Sequence, residues 1–327
     1  MPTPFKVVIS YPLPGDLREM LLPLGPIALW INPSSELLDP ETLFAQARNC
    51  DGLIVTPGDG PLGRDFFEQI GDRLKVVSCY SVGFDYVDLD EARKRDVAVG
   101  HTPGATTEPT ADIAWLLILG ASRNANRATR VIQSGDWRGI KPDDDYGVRL
   151  VGKTLFILGA GRIGMAVAQR ALGWKMKLLY TAQTPKPALE AAPYNARRVT
   201  SDEGLREADI VSIHLPLNAQ TKRTIDASML ATMKPGSILI NTSRGGIVDE
   251  DALVHALRDG PLYAAGLDVY ENEPEIHPDL LALENAFLLP HIGTATREDR
   301  QWMTRMAVDN LIAGVKGTTL PTPVPTP

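Results

Sequence analysis

Cysteine is nearly absent from this chain of 327 residues, which has only Cys50 and Cys79. Two thiols at that spacing make neither a disulfide framework nor a metal-binding pattern, so reduced side chains in a reducing compartment are expected. Long apolar runs are also missing. The longest aliphatic stretch, near Ile113 to Ala121, is far short of the roughly 20 residues of a membrane span. No basic segment followed by an apolar one opens the chain, so a cytoplasmic protein without a membrane anchor is expected. An excess of positive charge is lacking too: the formal net charge of −7 argues against the basic face that a nucleic-acid partner requires. An anionic substrate or cofactor must then find locally positive groups.

What the chain does have is length and a regular alternation. With 44% hydrophobic and 22% charged side chains over 327 residues, it exceeds what one core usually supports, and two domains are expected. Apolar runs at Lys6–Ile9, Ile27–Trp30, Leu53–Val55, Lys75–Ser78 and Val97–Val99 alternate with helical patterns at Asp16–Leu22, Pro40–Arg48, Arg64–Ile70 and Val87–Arg95. That is the βα alternation of a parallel sheet with helices on both faces. An apolar helix is expected over Thr110–Arg123, with Pro109 tolerated in its first turn, followed by a polar stretch around Asp136-Trp137-Arg138 and Lys141–Tyr146. A second alternating run predicts strands at Thr154–Leu158, Leu178–Thr181, Ile210–His214, Ser237–Asn241, Ala264–Leu267 and Ala286–Leu289. The closing helix, about Arg297–Lys316, has no sheet of its own and is expected to return to the first domain. The expected division is 1–101 with 291–327 as one discontinuous domain, and 102–290 as the other. The proline-rich tail Leu320–Pro327 reads as a solvated extension.

Within the second run, Gly159-Ala-Gly161-Arg162-Ile163-Gly164 follows a strand and opens a helical pattern. Glycine spacing alone is weak, but this context is what a pyrophosphate at a helix N-terminus requires, so a dinucleotide site is expected. The fingerprint then calls for an acid about 20 residues on, to hold the adenosine ribose. Here the second strand ends in Tyr180-Thr181-Ala-Gln-Thr184-Pro-Lys186, and the first acid is Glu190, beyond two prolines. A carboxylate there would repel a 2′-phosphate. Its absence, with Thr181, Thr184 and Lys186 present, favours NADP(H), while NAD(H) stays compatible with a neutral pocket.

Three side chains downstream carry the chemistry. Arg244 in Asn-Thr-Ser-Arg-Gly-Gly could be a surface charge pairing with Asp249 or Glu250, and Glu273 one solvated acid among Glu271, Glu273 and Glu275. Arg244 nevertheless stands at the carboxyl end of a predicted strand, where open α/β sheets bind ligands, and a guanidinium clamps a carboxylate with two hydrogen bonds. Of the five histidines, His214 falls in a predicted core strand and His255 in a helix, and His101 and His277 lack comparable companions. His291 ends the apolar run Phe287-Leu-Leu-Pro, where the chain is expected to leave the second domain, and a cleft between domains is the default place for a site. An imidazole that delivers a proton needs a carboxylate to orient it and favour its charged form, and Glu273 would supply that.

The whole series resembles the D-isomer-specific 2-hydroxyacid dehydrogenase family. The matching segments are Ser81-Val-Gly-Phe-Asp85, Thr102-Pro-Gly, the glycine turn, Ala208-Asp, Leu215-Pro-Leu, Met233-Lys-Pro-Gly236, Asn241-Thr-Ser-Arg-Gly245, Gly266-Leu-Asp-Val, Glu273-Pro and His291-Ile-Gly. The resemblance implies an α/β fold of two doubly wound parallel-sheet domains, a Rossmann cofactor domain inserted into a flavodoxin-like substrate domain, usually as a homodimer joined through the cofactor domains. It implies that Arg244 binds the substrate's carboxylate and carbonyl, that His291 is the general acid/base and Glu273 its partner, and that the backbone amides of Val82 and Gly83 hold the substrate carboxylate. Thr110, Arg162, Ile163, Leu215, Pro216, Thr242 and Asp268 would line the cofactor, Asp268 at the nicotinamide carboxamide. Tyr80-Ser-Val-Gly, the acid-free second strand and Glu271-Asn-Glu-Pro-Glu275 are most similar to NADPH-preferring glyoxylate/hydroxypyruvate and hydroxyphenylpyruvate reductases. One departure is Trp137-Arg-Gly-Ile140-Lys-Pro, where related reductases have a second tryptophan, and this argues against narrow selectivity for the smallest keto acids.

The expected function is therefore reduction of a small anionic 2-keto acid to the D-2-hydroxy acid. Two rivals stand beside it. An NAD-dependent dehydrogenase of the lactate or phosphoglycerate type is opposed by the missing acid and by the lack of a long C-terminal regulatory domain. A dinucleotide-sensing corepressor-like binding protein is opposed by the shortness of the loose tail.

Overall fold

Strands form where the sequence is mainly apolar: Gly52–Val55, Val76–Cys79, Ile210–Ile213 and Ser237–Asn241 are buried at every residue. Burial on both faces is the signature of parallel sheets covered by helices. The computed structural model describes residues 3–140 and 147–325. Lys141–Tyr146 of the polar stretch, with the lysine and proline of its Trp137 motif, lie outside the described residues, as do the last two residues of the tail. Two compact units emerge, Met1–Thr106 with Thr294–Pro327, and Thr107–Gly293.

The first unit holds β1 (Phe5–Ile9), β2 (Ile27–Ile31), β3 (Gly52–Val55), β4 (Val76–Cys79) and β5 (Ala98–Gly100). They pair in parallel in the order β2-β1-β3-β4-β5, a doubly wound order whose direction reverses between β1 and β3. The closing helix, Arg297–Val315, is capped by Thr296, whose side chain accepts the Asp299 N–H. Its Met303, Ala307, Val308 and Leu311 share a core with Val7, Ile9, Ile54 and Val76. Cys50 and Cys79 are free and buried here, and burial pushes both thiols up to about 12, so neither is a ready nucleophile.

The second unit holds β6 (Thr154–Leu158), β7 (Lys177–Thr181), β8 (Arg197–Arg198), β9 (Ile210–Ile213), β10 (Ser237–Asn241), β11 (Leu262–Leu267) and β12 (Ala286–Leu288). All are parallel, in the order β12-β11-β10-β9-β6-β7-β8. The helix Thr107–Ser122, buried at Ala111, Ala114, Leu117 and Ile118, joins Ile157, Ile210, Ile238 and Ile240 in one core, and a second core gathers Phe156, Val211, Leu239 and Leu253.

Three features depart from the sequence expectation. The tail is no solvated extension: Leu320 is buried, the His101 N–H donates to the Thr322 carbonyl and the Val324 N–H to the Val99 carbonyl, each at 3.0 Å. The strand β8 consists of two arginines, with no apolar signal to announce it, and the helix Ala125–Gln133 buries none of its residues. Among the described residues no helix is long and apolar enough to cross a membrane.

Candidate active site

Arg244, Glu273 and His291 leave the carboxyl ends of three neighbouring strands, β10, β11 and β12. Each loop is fixed by its own contacts. After β10, the Asn241 side chain donates to the Arg244 carbonyl at 2.9 Å and accepts from the Ser243 N–H at 3.0 Å. The Arg244 guanidinium donates to the Ser243 carbonyl at 2.9 Å. Gly245 follows because nothing larger fits: a Cβ there would stand 1.8 Å from the Tyr270 carbonyl carbon and 2.3 Å from the Glu271 nitrogen. The Arg244 loop and the loop that carries Glu273 therefore touch backbone to backbone.

Glu273 is held from two sides. The Tyr270 N–H donates to its Oε1 at 2.9 Å, and His291 Nδ1 lies 2.7 Å from its Oε2. Burial raises the Glu273 carboxyl, but the His291 hydrogen bond and charge, the Tyr270 N–H and the Arg244 charge together hold it below the usual carboxylate range. As a carboxylate it can only accept, so the shared proton sits on Nδ1 and leaves His291 Nε2 for other work.

His291 has a left-handed backbone, φ 53, which is uncommon for a residue with a Cβ. The reason lies beside it. Asp268, 1% exposed and next after β11, accepts the Ile292 N–H with Oδ1 and the Gly293 N–H with Oδ2, each at 2.8 Å. Thr110, buried in its helix, donates to the Gly293 carbonyl at 3.2 Å. The Tyr270 hydroxyl donates to the Leu289 carbonyl at 2.8 Å. The backbone is thus pinned at the Leu289 carbonyl before His291 and at the two peptides that follow it. Burial raises the Asp268 carboxyl above its ordinary range against the pull of the Ile292 N–H and the His291 charge.

The glycine turn fits a dinucleotide. Gly159 has φ 103, and a Cβ on it would come within 2.7 Å of the His214 carbonyl oxygen and 3.0 Å of Leu215. Gly164 packs its helix against the turn, where a Cβ would be 2.3 Å from the Gly159 oxygen. Gly161 precedes the helix Arg162–Arg170 with no side-chain cap, leaving the N–H groups of Arg162 and Ile163 available to an anion. Thr181 closes the turn by accepting the Gly159 N–H at 3.0 Å. Thr242, after β10, has a buried hydroxyl with no hydrogen-bond partner among the described residues, the kind of orphan a bound group satisfies. Leu215 and Pro216 follow β9, with Leu215 packed on the core and Pro216 exposed. Thr184 and Lys186 lie on the loop after β7, and the Lys186 N–H donates to the Tyr180 hydroxyl at 2.8 Å.

Val82 and Gly83 belong to the first unit, in the loop after β4. His101 Nδ1 donates to the Val82 carbonyl at 2.9 Å, and the Ser81 hydroxyl donates to the Gly83 carbonyl at 2.6 Å. Because C=O and N–H of a planar trans peptide point opposite ways, fixing the Val82 oxygen fixes the direction of the Gly83 N–H. His214 stands just beyond β9 rather than inside it. Its Nε2 meets Ser212 Oγ at 2.8 Å, and burial pushes its imidazole down to about 3. The positioning roles of Tyr270, and of Asp268 toward His291, were not foreseen, because backbone acceptors and donors leave no mark on residue type.

A family model for the NAD-binding domain of D-isomer specific 2-hydroxyacid dehydrogenases matches residues 115–293. The chain is 40% identical over 316 residues to a glyoxylate reductase of Thermococcus litoralis, covering 95% of this chain and 94% of that protein. It is 41% identical over 315 residues to glyoxylate/hydroxypyruvate reductase B of Yersinia enterocolitica, covering 96% and 95%. The crystal structure of an NADPH-dependent glyoxylate/hydroxypyruvate reductase from Sinorhizobium meliloti, in complex with NADP and malonate, superposes with a TM-score of 0.84 at 30% identity, covering 98% of this chain and 97% of that one. With its two parallel sheets, its glycine turn and its arginine, glutamate and histidine at adjacent strand ends, this chain belongs to the D-isomer specific 2-hydroxyacid dehydrogenase family.

Proposed function

We propose that the protein reduces small 2-keto acids, glyoxylate and hydroxypyruvate among them, to the D-2-hydroxy acids, and that NADPH is its preferred reductant. The observation that carries the reading is the Glu273–His291 bond, made on a strand end next to the one that presents Arg244. When bound, the nicotinamide supplies the hydride that reaches the carbonyl carbon. The chain's own groups handle the rest. Arg244 takes the substrate carboxylate and its carbonyl oxygen, the N–H groups of Val82 and Gly83 donate to the carboxylate, and the Nε2 proton of His291 goes to the developing alkoxide. Glu273 remains a carboxylate throughout and orients the ring through Nδ1. Asp268 and Thr242 serve the carboxamide end of the cofactor, and the amides of Arg162 and Ile163 serve its pyrophosphate.

The preference for NADPH is supported by the acid-free loop after β7 and by the NADP complex of the Sinorhizobium meliloti relative. In this reading the enzyme is a cytoplasmic homodimer joined through its cofactor units. Ile132, Trp137 and Ile140, which are 62%, 61% and 91% exposed, are apolar side chains that such a partner would cover. Loss of reduced nicotinamide absorbance is to be followed with NADPH and with NADH against glyoxylate, hydroxypyruvate, hydroxyphenylpyruvate and 2-ketogluconate. Turnover of at least one keto acid, faster with NADPH, is expected. No turnover of any of them would leave a dinucleotide-binding protein instead.

A further inference from the structure

Arg198 pairs in register with Tyr180 across β8 and β7. One terminal nitrogen of its guanidinium donates to two successive carbonyls of the loop that leaves β7, Ala182 at 2.8 Å and Gln183 at 3.0 Å. In an open dinucleotide-binding sheet this loop borders the adenosine ribose. A guanidinium carries five N–H donors in a fixed fork and stays charged at any working pH. The loop carbonyls engage two of them, and the other three make no bond among the described residues.

The charges nearby are arranged to leave this cation uncompensated. Tyr180 is fully buried, donates its hydroxyl to Glu190 at 2.5 Å and accepts the Lys186 N–H at 2.8 Å. The first acid after β7 is therefore held by the strand's own tyrosine. The neighbouring Arg197 is paired with Glu207, whereas Arg198 has no carboxylate partner among the described residues. From this arrangement we propose that Arg198 is a specificity-determining residue that binds the adenosine 2′-phosphate, with Thr184 and Lys186 beside it. The cation thus comes from the adjacent strand and not from the loop in which the fingerprint places its acid. The proposal rests on the NADPH reading above.

The experiment compares full-length wild type, Arg198→Ala and Arg198→Lys. Dissociation constants are measured for NADPH, NADH, adenosine 2′-monophosphate and adenosine 5′-monophosphate, and kcat/KM for each cofactor is measured with glyoxylate. Loss of a charge-assisted pair should weaken NADPH in Arg198→Ala by about 10- to 100-fold and leave NADH nearly unchanged. The preference for the 2′-monophosphate fragment should vanish with it. Arg198→Lys, which keeps the charge but not the fork, should recover part of the loss, and the recovery should shrink as salt is raised. Equal weakening of both cofactors would make Arg198 a brace for the loop and overturn the proposal. A wild type that favours NADPH, with an Arg198→Ala variant that favours it just as much, defeats this proposal alone. A wild type that favours NADH, or treats the two alike, defeats the NADPH reading and the proposal together.

Discussion

Glu273 and His291, 18 positions apart in the chain, meet at 2.7 Å between Oε2 and Nδ1. The bond settles which imidazole nitrogen is committed to the protein and which is left for substrate. If Nε2 delivers the proton, His291→Gln should lower kcat by about 10² to 10⁴. NADPH affinity, read by titration of nicotinamide fluorescence, should hardly change, since no cofactor contact is assigned to the ring. A fully active variant would mean that the proton comes from elsewhere.

Asp268 accepts the two N–H groups that follow His291, and an amide cannot do the same. Asn keeps one acceptor and turns a donor toward the other N–H. Asp268→Asn should therefore cost about 1 to 3 kcal/mol in urea unfolding. A fall in kcat should accompany it, because the backbone that aims the ring is released. Unchanged stability and turnover would show that this loop holds itself without the carboxylate.

Gly245 lies against the Tyr270 and Glu271 backbone with no room for a methyl group. Gly245→Ala must push the two loops apart, with a destabilisation of about 1 to 3 kcal/mol or more. Because the glycine turn is elsewhere on the sheet, NADPH binding should survive while KM for the keto acid rises. Loss of cofactor affinity alone, with KM intact, would contradict the assignment of this contact to the Arg244 side of the site.

His214 gives a pH dependence with a definite sign. Its native value is pushed down to about 3 from an unfolded value of about 6.5. Between those values the unfolded chain binds a proton that the native one does not, so stability falls as pH falls below about 6.5. Between pH 7 and pH 5 the loss from this residue is at most about 2 kcal/mol. Thermal melting of wild type and His214→Asn at both pH values should show the smaller acid-induced drop in the variant. Equal drops would mean that His214 is not held neutral by the fold.

Eleven of the strands announced themselves as apolar runs, because a parallel strand buried on both faces has little choice of residue. Ser237–Asn241 and Thr154–Leu158 begin and end where the pattern does. The exception, β8, is two arginines at the edge of the sheet, held by backbone pairing with β7 and carrying no periodicity. The helix Ala125–Gln133 was missed for another reason: it is mainly polar and none of its residues is buried. In the site, residue chemistry and strand-end position made Arg244, Glu273 and His291 visible. The left-handed turn at His291, the Tyr270 N–H on Glu273 and the double grip of Asp268 were not, since they depend on where backbone groups point after folding.

The three side chains leave β10, β11 and β12, which lie next to one another in the sheet. The loops that carry them thus start one strand spacing apart, roughly 4.8 Å, and contacts within the loops bring Glu273 and His291 to 2.7 Å. Substitutions in surrounding loops can tilt a side chain but cannot rescale that pitch. The starting points of the three loops are therefore set by the sheet, and only the loops themselves can move one of these side chains relative to another.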